Sequence, residues 1–255
     1  MCVILHNRTK EKLANGEIVV GNFTSFISPE IVEIIGNVGF DFVVLDAEHG
    51  PMGPESCMNL TRAAEVSNTT PIVRVPKNET ETILRYMDTG IQGIHVPQMN
   101  TVEDARACVK AVKYYPEGDR GLSRTRAGDF GVKMSLPEFL DYSNRESLTV
   151  VHIENMEGVN NLPEILEVDG IDVIYIGPVD LSGSLGCPCK MDDPRLKEAI
   201  DRIIKLTVES DKYLGIYVGD VETAKKYIDR GAQYIATSIY GFIIPPMQDF
   251  VERLK

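Results

Sequence analysis

The feature that most constrains the fold is a repeated alternation of two kinds of segment. Eight short runs rich in Val and Ile recur along the chain, separated by longer stretches with helical spacing. The runs are IVVGNF (18–23), DFVVLDAE (41–48), PIVRV (71–75), GIHVPQ (93–98), LTVVHIE (148–154), DVIYIG (172–177), LGIYVG (214–219) and YIATSI (234–239). Near-continuous apolar runs mark strands buried on both faces, as in a parallel sheet covered by helices. Strand–helix alternation leaves two architectures, an open doubly wound sheet and a closed barrel. The count of eight favours closure, and so does the length of 255 residues, the usual size of a (β/α)8 barrel. The Gly-x-Gly-x-x-Gly turn that marks a dinucleotide crevice is absent after the first run. The expected fold is therefore α/β, a (β/α)8 TIM barrel in a single domain over 1–255.

The intervening stretches carry helix punctuation. SPEIVEIIGNVG, GPESCMNLTRAAEVS, NETETILRYMDTG and TVEDARACVKAVKYY open on Ser, Gly, Asn and Thr, and several end at Gly. MEGVNNLPEILEVDG, DPRLKEAIDRIIKLTVES, VETAKKYIDRG and PPMQDFVERLK continue the pattern. One stretch is irregular, residues 116–147 between the fourth and fifth runs. A long loop on the C-terminal face of a barrel is expected to be functional.

Composition narrows the partners. A net charge of -12 argues against a phosphate-backbone partner, which needs clustered Lys and Arg. The apolar run Cys2 to Leu5 is too short for a signal-peptide core or a membrane span, so a cytoplasmic protein without membrane or nucleic-acid partners is expected. Five cysteines, Cys2, Cys57, Cys108, Cys187 and Cys189, form no paired framework. Cys187-Pro-Cys189 has no further Cys or His nearby to complete a zinc tetrahedron.

In a barrel, chemistry collects where strands end and β/α loops begin. The polar residues there are Asp46, Glu48 and His49 after the second run, Arg74 in the third, Glu154 in the fifth and Asp180 after the sixth. Glu154 and Asp180 are a candidate metal pair. Two carboxylates with the remaining positions open suit Mg²⁺ or Mn²⁺, with Co²⁺ a further candidate. Arg74 is a candidate for holding a keto or carboxylate oxygen as enolate charge develops. His49, with Asp46 to orient it, is the candidate acid–base group. Each of these residues also has a plainer reading: a helix cap for Asp180, a buried ion-pair partner for Arg74, a loop histidine for His49. His95 and His152 lie within strands and read as structural or supporting groups, and His6 lies in a terminal segment. Arg120, Arg124 and Arg126 form a cationic cluster in the long loop, read either as a hold for a distal substrate carboxylate or as solvated and subunit-bridging charge. No strand run contains the lysine that Schiff-base chemistry needs. Lys77, past the third run, reads as a solvated loop residue.

At Asp46-Ala-Glu-His49, Arg74, Ile153-Glu154 and Ile176-Gly-Pro-Val-Asp-Leu181 the sequence resembles the HpcH/HpaI aldolases, the metal-dependent class II pyruvate aldolases. The similarity spans nearly the whole chain. It implies a barrel of the phosphoenolpyruvate/pyruvate type and a homo-oligomer, a hexamer with C-terminal helices exchanged between neighbours. The implied activity is that of an aldehyde-lyase, cleaving a 4-hydroxy-2-keto acid to pyruvate and an aldehyde. By position, Glu154 and Asp180 match the metal ligands, Arg74 the contact to the pyruvyl keto oxygen, and His49 with Asp46 the acid–base dyad. The backbone amides of Val179 and Asp180 would receive the carboxylate. Two departures stand out. His152 replaces a usual Gln, which places it against substrate or metal-bound water. Cys189 replaces a usual Gly, so the expectation is that the backbone there forgoes positive φ. Two rival readings are a Claisen-type condensation or lyase on a citrate-like or acyl-CoA substrate, and a non-catalytic keto-acid-binding protein.

Overall fold

The computed structural model describes residues 6–255, so Cys2 and the run Cys2 to Leu5 lie outside the described residues. Eight parallel strands close in sequence order, β1 to β8, with β8 pairing back onto β1. They are β1 (Val19–Thr24), β2 (Phe42–Asp46), β3 (Thr70–Arg74), β4 (Gly93–Val96), β5 (Leu148–Ile153), β6 (Val173–Ile176), β7 (Tyr213–Tyr217) and β8 (Ala232–Ser238). Each coincides with one of the eight apolar runs.

Alternate residues face opposite ways along each strand. Val43, Leu45, Val73, Ile94, Val151 and Ile174 join a core that also includes buried residues of the surrounding helices, whereas Phe42, Val44, Ile72, Val150, Tyr175 and Tyr234 pack inside the barrel. Two glycines make the interior possible. A Cβ at Gly21 would stand 2.0 Å from the Phe42 ring, and one at Gly215 would stand 2.8 Å from the Tyr175 ring. The space they leave lets Phe42 stack on Tyr234, ring centroids 4.2 Å apart and 20° from parallel. Such a pair adds about 0.5–1.5 kcal/mol beyond area burial.

Helices follow the strands: α1 (Arg8–Ala14) precedes β1, and α2 (Pro29–Asn37), α3 (Pro54–Val66), α4 (Thr80–Met87) and α5 (Val102–Val112) follow β1 to β4. Then come α6 (Leu136–Glu146), α7 (Met156–Leu166), α8 (Pro178–Ser184), α9 (Pro194–Val208), α10 (Val221–Ile228) and α11 (Ile239–Leu254). Thr101 and Asp104 form a reciprocal capping box on α5. Asn78 does not cap α4 as its sequence suggests; Glu79 takes that position and the Asn78 amide donates to the Asp104 carbonyl at 2.9 Å. The last helix also starts earlier than its Pro-Pro pair implies. Ser238 caps it, and Pro245 and Pro246 lie inside it.

The expectation for residues 116–147 needs correction. Helix α5 carries the chain back from the C-terminal face, so this stretch is an α-to-β connection on the opposite face. It contains a 3-10 turn (Arg126–Gly131) and α6 rather than a structureless loop. Its arginines are largely committed: Arg120 pairs with Asp88 at 2.7 Å and stacks over Tyr114, and Arg126 pairs with Glu65. Both line a cavity with Gln92 and Ser147, at the starts of β4 and β5. Within this chain they do not reach the C-terminal mouth.

Candidate active site

A cavity of about 440 Å³ opens at the C-terminal ends of the strands, lined among others by Phe23, Asp46, His49, Arg74, His152, Glu154, Tyr175, Val179 and Asp180. The candidate catalytic, metal and substrate residues read at the strand ends all line it, together with His152, whereas the arginines of the 116–147 stretch do not. Strand register explains part of this: Asp46 and Arg74 are direct partners across β2 and β3. Arg74 Nε donates to Asp46 Oδ1 at 2.9 Å and Nη2 donates to Oδ2 at 2.7 Å. Its Nη1 lies 3.1 Å from Glu48 Oε2, and the guanidinium sits 5.2 Å from the centre of the Phe23 ring. Two of the five guanidinium N–H donors hydrogen-bond to Asp46 and Nη1 forms an ion pair with Glu48, which leaves donor capacity for a ligand.

Burial pushes the Asp46 carboxyl up, but the hydrogen bonds and charge of Arg74 outweigh it and hold it below the usual range. For Arg74, burial acts downward and the Asp46 and Glu48 carboxylates more than compensate, so its pKa is raised. Glu48 goes the other way. Burial and the charge of Glu154 raise it despite Arg74.

The expected Asp46–His49 dyad is not formed through the ring. Asp46 Oδ1 instead accepts from the backbone N–H groups of Glu48 and His49, both at 3.2 Å, because a short Asp side chain at a strand end folds back on its own turn. The carboxylate beside the His49 ring is Glu48, 3.9 Å from Nε2. His49 itself is 64% exposed at the cavity rim. Glu48 was visible in the sequence but was given no role there.

Glu154, only 3% exposed, directly follows β5 and lines the cavity. Its Oε1 accepts from Gln98 N–H at 2.7 Å and its Oε2 lies 3.5 Å from His152 Nδ1. Burial raises its pKa, but His152, the Gln98 N–H and Arg74 together bring it below the usual range. The buried carboxyl is therefore an anion. Gly177 permits this position, since a Cβ there would stand 2.9 Å from Glu154 Oε2. Asp180, in the first turn of α8, is exposed. No group of three His, Cys, Asp or Glu among the described residues forms a metal cage. Glu154 and Asp180 are two carboxylates lining one cavity, a pair that would suit an oxygen-preferring cation keeping positions for water and substrate rather than structural zinc.

Among the described residues no lysine lines the cavity, and Lys77 is exposed beside Glu79. Cys187 is buried and Cys189 exposed, both as free thiols. The expectation at Cys189 is overturned: its φ is +60°, and its N–H donates to Ser182 Oγ at 2.9 Å, which fixes a conformation that glycine would adopt more cheaply.

Residues 20–244 match the model of the HpcH/HpaI aldolase/citrate lyase family. The chain belongs to that family. Among curated HpcH/HpaI relatives, the hydroxypyruvate/pyruvate aldolase of Roseobacter denitrificans is 36% identical over 235 residues, 91% of each chain. The 5-keto-4-deoxy-D-glucarate aldolase of Enterobacter sp. strain 638 is 35% identical, covering 91% of this chain and 90% of that one. Among solved structures, the citrate synthase SbnG is 31% identical with a TM-score of 0.87, covering 96% of both chains. The two aldolase relatives support a lyase of the aldolase type.

Proposed function

We propose that this protein is a divalent-metal-dependent aldehyde-lyase that cleaves a 4-hydroxy-2-keto acid to pyruvate and an aldehyde. The observation that carries the reading is one cavity lined by Glu154, Asp180, Arg74 and His49, with Glu154 held as a buried anion. Glu154 and Asp180 would hold Mg²⁺, Mn²⁺ or Co²⁺, which would supply Lewis-acid polarisation of the 2-keto group. The remaining Arg74 donors hold the keto oxygen and take up its growing negative charge. First-turn N–H groups of Val179 and Asp180, which a helix leaves without intrahelical acceptors, receive the carboxylate. His49 removes the proton from the 4-hydroxyl; the C3–C4 bond breaks, the aldehyde leaves, and its bonding pair becomes the pyruvate enolate. Protonation at C3 completes the turnover. Glu48 sits where it can support the charged His49 ring.

Two features outside the cavity bear on assembly and location. Phe242, Met247, Phe250 and Leu254 of α11 are each more than half exposed, an apolar face suited to exchange of this helix between copies in a homo-oligomer, with the hexamer as the expected state. None of the described helices is long and apolar enough to cross a membrane, in keeping with a cytoplasmic enzyme acting on small molecules.

The resemblance to a citrate synthase favours one rival, condensation of an acyl donor with a 2-keto acid. The two are separated by assaying purified protein with Mn²⁺ against 4-hydroxy-2-keto acids, reading pyruvate release, and against oxaloacetate with acetyl-CoA, reading thiol release. Metal-dependent pyruvate release supports the aldolase. Thiol release without it replaces that reading.

A further inference from the structure

Beneath the cavity the barrel interior is unusually polar. His95, His152 and Tyr234 are 0%, 2% and 0% exposed. Tyr234 Oη lies 2.7 Å from His95 Nε2, and His95 Nδ1 lies 2.8 Å from His152 Nε2. His152 Nδ1 then faces Glu154 Oε2 at 3.5 Å. Four side chains on or directly after three strands thus form one line, from the buried Tyr234 to the carboxylate that lines the cavity.

The direction of the protons along this line follows from its closed end. Tyr234 Oη has His95 as its hydrogen-bond partner among the described residues. If the oxygen accepted from Nε2–H, its own buried proton would be left without a partner among the described residues, at a cost of about 1–3 kcal/mol. The hydroxyl therefore donates to Nε2. A neutral imidazole has one N–H, so His95 carries it on Nδ1 and donates to His152 Nε2. His152 in turn carries its proton on Nδ1, toward Glu154. Burial, with the Arg74 guanidinium nearby, holds the His95 pKa well below its usual value, so the ring is neutral. The Tyr175 ring, 5.1 Å from His95 and 4.7 Å from His152 between centroids, walls both imidazoles in place.

We propose that Tyr234 and His95 are positioning residues that lock the tautomer of His152, making it a fixed Nδ1–H donor to Glu154. A free histidine side chain prefers the proton on Nε2, so both rings hold the less common form. The effect on cation affinity rests on the reading of Glu154 as a metal ligand; the proton order does not.

The test uses full-length protein labelled with imidazole-¹⁵N histidine and sedimented for magic-angle-spinning NMR at neutral pH. Only four histidines are present, and single substitutions assign them. The expected spectrum shows His95 and His152 each protonated at Nδ1 and bare at Nε2. Tyr234→Phe keeps the stack on Phe42 and removes the donor, so His95 shifts at least partly to Nε2–H. In the same variant Mn²⁺ binding weakens about tenfold, the scale of a lost supporting hydrogen bond. Adding His152→Gln restores the affinity, because an amide donor does not depend on a tautomer. Nε2–H on either ring of the wild type, or spectra unchanged by Tyr234→Phe, overturns the proposal. If Mn²⁺ fails to bind the wild type, the metal reading falls and the spectra alone decide the lock.

Discussion

Replacing Gly177 by Ala tests how the fold places Glu154. A Cβ at Gly177 would stand 2.9 Å from Glu154 Oε2 and 3.0 Å from its Cβ. Ordinary contact needs about 3.5–4.0 Å, so the Glu154 side chain must withdraw by roughly 0.5–1 Å. The backbone does not resist, since φ at Gly177 is -98°, open to any L residue. Alanine also narrows the unfolded ensemble, a gain of about 0.4–1 kcal/mol that offsets the local strain. Stability should therefore change little. Function should not survive as well: a displacement of about 1 Å at a reacting group costs on the order of 100-fold, or about 2.7 kcal/mol of barrier. Thermal unfolding and steady-state turnover on the same preparations provide the comparison. A Gly177→Ala variant that turns over at the wild-type rate would refute the claim that this close approach sets the carboxylate.

Other substitutions separate structural from chemical roles. Asp46→Ala leaves Arg74 with a largely buried, half-paired charge and should cost about 3 kcal/mol in denaturant unfolding; because the Asp46 pKa is lowered, wild type should also lose this contribution as pH falls through its folded pKa. Lys113 is lowered to about 8, chiefly by burial and then by Lys10. The unfolded chain therefore binds the extra proton between about 8 and 10.4. Wild-type stability relative to Lys113→Met should rise across that window by up to roughly 3 kcal/mol, as read in urea melts at several pH values. Gly21→Ala pushes a Cβ to 2.0 Å from the Phe42 ring and should destabilise by at least about 1–3 kcal/mol, measured by thermal melts.

The eight strands were legible because a parallel strand buried on both faces needs an apolar run, and these runs alternate with segments of helical spacing. Arg74, Glu154 and Asp180 were legible for a related reason: a polar residue closing such a run has the barrel mouth as its natural place. The Asp46–Arg74 pair was not, since it depends on lateral register between residues 28 positions apart. Nor was the facing of the 116–147 stretch, which is settled only by counting the direction in which α5 runs. The His95–His152–Tyr234 line left a faint signal. Each of its members interrupts aliphatic residues in a buried strand at an inward-facing position, and three such interruptions in one barrel interior call for mutual hydrogen bonds.

The central claim is a pyruvate enolate formed in the cavity that Glu154 and Asp180 line. Exchange of pyruvate methyl protons into D₂O, followed by NMR, tests it without knowledge of the aldehyde. Wild-type protein should catalyse exchange only when Mn²⁺ is supplied, and Glu154→Gln should abolish it. Absence of metal-dependent exchange, or exchange at an equal rate in Glu154→Gln, would contradict the account.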